Sequence, residues 1–134
     1  MAIEDFNSVF IRLPSAKRFS FTALSVLHTL SRRSPLRLTE LTATEQVTQS
    51  AITQLVTRLE LDGLVERRPD PTDGRAVLVH LTDSGRDVVV TRHRERSRGF
   101  AELLDRLSPG ERKAMADVLP VLRRIAELGR SGIG

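Results

Sequence analysis

TQSAITQLVTRLELDGLVERRPDPTDGR, residues 48–75, decides how the chain folds. Ile52, Leu55, Val56 and Leu59 fall at i, i+3, i+4 and i+7, which is one apolar stripe of a helix. Gln49, Ser50, Thr53, Gln54, Thr57 and Arg58 are left on the outer face. Gly63 suits the left-handed position that stops a helix, and Leu64-Val65 opens a strand. Pro69-Asp70-Pro71-Thr72-Asp73-Gly74 is dense in turn formers; Val77, Val79 and Leu81 then alternate with Leu78 and His80 as a returning strand. The stretch therefore predicts a helix followed by a two-stranded hairpin, which is marginal alone and needs helices to pack on.

Those helices are found on both sides. Upstream, Ile3, Phe6, Val9, Phe10 and Leu13 recur at helical spacing until Pro14 discourages continuation. Ser20 is the expected N-cap of a second helix, with Phe21, Leu24, Leu27 and Leu30 on one face and Arg32 and Arg33 at the end where the dipole favours cations. Ser34-Pro35 stops it. Leu36-Arg37-Leu38 is a minimal strand, and Thr39 is the expected N-cap of a short helix carrying Leu41. Downstream, a long helix is predicted over residues 83–107, and Ser108-Pro109 with Glu111 forms a capping box for the next. Met115, Val118, Leu119, Leu122, Ile125 and Ala126 repeat at spacings of 3 and 4, close to a heptad seam, and Gly129 is expected to end that helix. The order is helix, helix, short strand, helix, helix, hairpin, helix, helix. It describes a mainly α fold with a small β-hairpin wing: a winged helix-turn-helix over residues 20–86, helical flanks at 1–19 and 87–128, and a tail at 129–134.

Composition narrows the function. A chain of 134 residues is one domain's worth, and 40% hydrophobic with 28% charged residues is too apolar for wholesale disorder. There is no cysteine, which excludes disulfides, thiolate zinc sites and a cysteine redox switch. His28, His80 and His93 are scattered with no carboxylate at ligand spacing, so no metal is expected. No nucleophile motif, P-loop or GxGxxG is present, hence no enzyme and no cofactor are expected. Apolar runs such as 76–79 and 88–90 are far below the roughly 20 residues that span a bilayer. The opening MAIEDF carries acids where a secretion signal carries Lys or Arg, so the expected location is cytoplasmic.

Three motifs carry a family likeness. Ser50-x-Ile-Thr-x-Leu-Val-x-Arg-Leu-Glu-x-x-Gly-Leu-Val-Glu-Arg67, Asp70-Pro-x-Asp-Gly-Arg75 and Leu81-Thr-x-x-Gly85 stand at the spacing of the MarR family of bacterial transcriptional regulators, which this chain resembles over nearly its whole length. The resemblance implies an obligate homodimer that binds a palindromic operator in double-stranded DNA, usually repressing transcription, often with affinity lowered by a small aromatic or phenolic ligand. It implies dimer contacts from Ile3, Phe6, Phe10, Leu104, Met115, Leu119, Leu122 and Ile125. Phe10, Phe21 and His28 are candidates to line an effector pocket, the competing reading being that they are simply core. Two positions depart from the family pattern: Glu45-Gln46-Val47 stands where a glycine often makes the turn before the recognition helix, and Gly74 stands where the wing often has a second basic residue.

In a winged helix-turn-helix the first turns of the second helix meet base edges, and Gln bonds adenine at N6 and N7. Gln49, Ser50, Thr53 and Gln54 are the base-edge candidates; Thr48, Thr57 and Arg58 are better placed for phosphates. Arg75 follows a glycine at the hairpin tip, where a guanidinium suits the negative potential of a narrow minor groove, and the family pattern suggests that Asp73 orients it by a salt bridge. Arg67 and Arg68 rank lower, as candidates for pairing inside the domain. The chain has 21 basic and 17 acidic residues, yet residues 35–86 hold six arginines against eight acids. The surplus lies at Arg12, Lys17, Arg18, Arg32, Arg33, Arg92, Arg94, Arg96 and Arg98, the last four expected to be a solvated helix face or ion-paired to Glu4 and Asp5. A reading part with more acids than bases leaves a second reading open, a winged-helix protein-interaction module without DNA binding.

Overall fold

A Ser at the head of an apolar-striped segment starts a helix by accepting an otherwise orphaned amide, and Ser20 does so for α2 (Phe21–Arg33), its hydroxyl oxygen accepting from the Ala23 N–H at 3.1 Å. The computed structural model describes residues 1–13 and 19–132. The Pro14 stop, Lys17 and Arg18 of the basic surplus, and residues 133–134 of the tail lie outside them. α1 is Ala2–Ile11, and after α2 come β1 (Leu36–Arg37), α3 (Leu38–Glu45), α4 (Gln49–Leu61), β2 (Val65–Pro69), β3 (Val77–Leu81), α5 (Asp83–Leu104) and α6 (Pro109–Gly132). The chain divides into two compact units, one of Pro14–Glu95 and one of Met1–Leu13 with Arg96–Gly134.

The first unit is built on α2, α3 and α4 and a sheet of order β1-β3-β2. Its core is Ala23, Val26, Leu27 and Leu30 of α2, Leu36, Leu41, then Ile52, Val56 and Leu59 of α4, with Leu64, Val65 and Val79 from the wing's base. Burying each large side chain contributes about 1.5–3 kcal/mol. Phe21 is not on that buried face: it is 73% exposed, because the face turned inward is set by Val26, Leu27 and Leu30. The two-stranded hairpin is the larger part of a three-stranded antiparallel sheet, since Leu36 and Arg37 pair with Val79 and Leu78. The strand stops one residue earlier than its apolar pattern suggests, and Leu38 already begins α3. Arg37, not Thr39, is the N-cap residue, because Glu40 accepts the Arg37 N–H at 2.7 Å and so ties down the chain two residues ahead of Thr39.

α3 ends at Gln46 with φ 53°, a left-handed residue that performs the turn for which a glycine was missing. α4 ends on Gly63 at φ 75°, with the Gly63 N–H donating to the Glu60 carbonyl at 3.0 Å and the Leu64 N–H to the Leu59 carbonyl at 2.9 Å.

In the second unit Phe6, Phe10 and Phe100 form a ring cluster with centroids 5.7–5.9 Å apart. Arg96 lies over Phe10 at 5.5 Å and donates to the Ile11 carbonyl at 3.4 Å, at the C-terminal end of α1. Glu4 and Asp5 face the Met1 ammonium at 3.3 and 3.8 Å, at their own helix's first turn. α5 ends at Leu104, three residues short of the predicted end, where Arg106 and Leu107 N–H groups tighten onto the Leu103 and Leu104 carbonyls. Ser108 and Glu111 make the capping box, at 3.2 and 2.8 Å, and the Ser108 N–H holds the Glu111 carboxyl below its usual range. α6 passes through Gly129 to Gly132, because an exposed glycine without a left-handed φ costs a helix too little to stop it.

Candidate nucleic-acid interface

Thr48 starts α4 by accepting the Ala51 N–H at 3.2 Å, which leaves its hydroxyl proton and the other first-turn amides facing outward. Ile52, Val56 and Leu59 anchor the opposite face in the core, so Gln49, Ser50, Gln54 and Arg58 are presented on the exposed side. The threonines are less available than their spacing suggests. Thr53 donates to the Gln49 carbonyl at 2.8 Å and is half-buried. Thr57 donates to the Thr53 carbonyl at 2.8 Å and accepts from the Arg67 guanidinium at 2.8 Å, so its hydroxyl is already spent inside the unit.

Arg67 is the link between helix and wing. Glu60 takes its backbone N–H at 2.7 Å and its Nε at 3.2 Å, fixing β2 against the last turns of α4. Arg68 pairs with Glu66 at 2.8 Å; this hydrogen bond, with the charge behind it, lowers the Glu66 pKa and raises that of Arg68. Both stem arginines therefore pair inside the unit.

Opposite the stem, Asp70 is the one charged residue buried among those described, 6% exposed. Its Oδ1 accepts from the Thr72 hydroxyl and N–H at 2.7 and 2.8 Å, and its Oδ2 meets Arg37 at 2.8 Å. Those Thr72 bonds, helped by Arg37 and opposed by burial, hold the carboxyl below its ordinary range. Asp73 does not form the expected salt bridge with Arg75 among the described residues; it accepts the Arg75 backbone N–H at 3.1 Å, shaping the turn and leaving the guanidinium exposed.

The wing is joined to α5 through Thr82. Its hydroxyl donates to the Gly63 carbonyl at 2.7 Å and accepts the Gly85 N–H at 3.0 Å, and its N–H donates to the Leu64 carbonyl at 3.1 Å. This is the physical content of the Leu-Thr-x-x-Gly motif. Sequence reasoning missed the roles of Arg37, Glu60 and Asp70. Asp70 reads as a turn former, and its partner lies 33 residues earlier. Only the pairing of β1 with β3 brings the two together, and a two-residue strand is too short to announce its partner.

His28, a candidate for core or pocket, is exposed on α2, which removes the core reading. Ile3, Leu119, Leu122 and Ile125 are exposed, Phe6 largely so, and Leu104 and Met115 half-buried. No helix among the described residues is long and apolar enough to cross a membrane.

A model of the MarR family matches residues 19–77. An HTH-type transcriptional regulator of Mycobacterium bovis, itself uncharacterized, is 32% identical over 128 residues, which cover 88% of this chain and 90% of that protein. Wild-type MarR of E. coli in its apo form superposes with a TM-score of 0.73 at 27% identity, over 92% of this chain and 93% of that one. Sco3205 of Streptomyces coelicolor, a MarR family regulator solved in complex with DNA, gives 0.55 at 28% identity, over 76% and 66%. PcaV of the same organism, a transcriptional regulator solved with its natural ligand, gives 0.59 at 25% identity, over 94% and 87%.

Proposed function

The chain belongs to the MarR family of transcriptional regulators, and from that premise we propose that it acts as a homodimeric repressor on a palindromic operator, with α4 in the major groove and the wing tip at the minor groove. The observation that carries this reading is how the arginines of the reading unit are spent. Of the six arginines in residues 35–86, Arg37, Arg67 and Arg68 each sit on an acid, whereas Arg58, Arg75 and Arg86 make no ion pair among the described residues and are exposed, and of these three Arg58 lies on α4 and Arg75 at the wing tip. Guanidinium groups left at these two places suit phosphate and a narrow groove. Gln49, Ser50 and Gln54 are the base-reading side chains, with Thr48 and the open amides of the first turn on phosphate. Thr53 and Thr57 are set back, as supports of the helix.

Support for the dimer comes from α6. It runs 24 residues without one buried side chain and exposes Leu119, Leu122 and Ile125, an apolar stripe that a second copy covers. Ile3, Phe6, Leu104 and Met115 extend the same role. Sco3205 in complex with DNA supports the partner, and PcaV with its natural ligand supports release by a small molecule, for which exposed Phe21 and His28 are the proposed contacts. Phe10 is withdrawn from that set, since Phe6, Phe100 and Arg96 already occupy its ring. Moving occupancy from 99:1 to 1:99 requires the ligand to favour the unbound form by about 5.5 kcal/mol.

Selection of bound duplexes from a random pool tests the whole reading. The expected product is a palindrome with half-site centres about one helical turn, roughly 34–36 Å, apart. A pool that enriches no sequence overturns DNA reading and leaves the protein-interaction module in its place.

A further inference from the structure

The wing tip is held by its own backbone and by a single outside side chain. Within residues 70–76 the Asp70 N–H donates to the Ala76 carbonyl at 3.0 Å, the Ala76 N–H to the Asp73 carbonyl at 2.9 Å, and Asp73 and Asp70 take the Arg75 and Thr72 amides. Residues 71–75 are all exposed, so burial does little to seat them. The one hydrogen-bonded or ionic tie from the tip to another part of its unit, among the described residues, is Asp70 Oδ2 to Arg37, at 2.8 Å from Nη2 and 3.0 Å from Nε. Arg37 is itself fixed, because its strand pairs with Leu78 of β3 and its N–H is held by Glu40. Its partner carboxylate has both oxygens engaged and is buried, which makes the pair directional rather than a loose surface contact.

We propose that Arg37 is a positioning residue for Arg75: its ion pair with Asp70 holds the wing tip in the orientation from which Arg75 enters the groove, and Arg37 itself does not touch DNA. The proposal rests on the reading of Arg75 given above. Asp70 transmits the constraint, since its side chain faces Arg37 while its backbone grips Ala76, the residue that follows Arg75.

The experiment is a double-variant cycle on the full chain, read by fluorescence anisotropy with a labelled duplex enriched by the parent protein. Arg75→Ala is expected to weaken binding about tenfold in the parent. In the Arg37→Ala background the same change is expected to cost less than about twofold, because the tip no longer delivers Arg75. Arg37→Ala should leave the salt slope of the Arg75→Ala protein unchanged, and a slope lower by about 1 would make Arg37 a phosphate contact and overturn the proposal. Asp70→Asn separates the two by sign: it weakens binding if the pair positions the tip, and tightens it if Asp70 merely competes with DNA for Arg37. Arg37→Lys keeps the charge without the two-donor grip and is expected to behave like Arg37→Ala, with thermal melts confirming that each variant is folded. Additive losses in a cycle where Arg75→Ala acts normally overturn the positioning role alone. An Arg75→Ala protein that binds like the parent overturns the reading of Arg75 beneath it.

Discussion

Gly85 stands in the first turn of α5, against the backbone of Leu64 just beyond α4. A Cβ there would run into the Leu64 carbonyl oxygen and come within 2.6 Å of Leu81 Cδ1. Alanine ordinarily gains about 1 kcal/mol over glycine inside a helix, but the clash here is with backbone that Thr82 has already bonded to both Gly63 and Leu64. The crowding wins, and Gly85→Ala is expected to lower stability by about 1–3 kcal/mol net. A urea midpoint equal to or above the parent's would show that α5 can slide away. The Leu-Thr-x-x-Gly motif was visible in the sequence as a likeness, yet its reason was not. No local pattern reveals that residues 82 and 85 meet the carbonyls of 63 and 64.

Among the elements, the wing depends most on protonation. The folded Asp70 pKa is depressed by the Thr72 bonds, burial opposing and Arg37 helping, so its contribution is fully present above the unfolded value near 3.9 and is lost as pH falls through the folded value. Glu66, lowered by Arg68, and Glu111, lowered by Ser108, act in the same direction. The expected outcome is that Asp70→Asn melts below the parent at neutral pH and that the gap closes on acidification, followed by circular dichroism. A gap that stays constant down to pH 3 would remove Asp70 from the acid sensitivity. Elements with an internal signal are legible in the sequence itself. α2 and α4 announced themselves by apolar spacing and a hydroxyl cap, and Gly63 by its residue type. The faint ones were misjudged at their edges: α3 starts where Glu40 takes the Arg37 N–H, a bond that apolar spacing does not announce, and the third strand is set by a contact far along the chain, Leu36 with Val79. The same holds for the candidate site, where the outward polar face of α4 was readable but the capture of Thr57 by Arg67 required β2 to be in place.

For the molecule as a whole, the apolar surface of α6 is the feature a single copy leaves unsatisfied. Covering a large apolar side chain there is worth about 1.5–3 kcal/mol, so Leu122→Lys combined with Ile125→Lys is expected to turn a dimer into a monomer in sedimentation velocity and to weaken binding to a palindromic duplex. An unchanged dimer mass would place the interface elsewhere. How copies can meet is also decided at the wing. In the order β1-β3-β2 the outer side of β2 has no neighbouring strand among the described residues, and an open strand edge invites another chain to add to it. Along that side Pro69 has no N–H to offer, and the Arg67 N–H is already given to Glu60. The bond that fastens the wing to its helix thus also takes up a donor that an added strand would use on this edge.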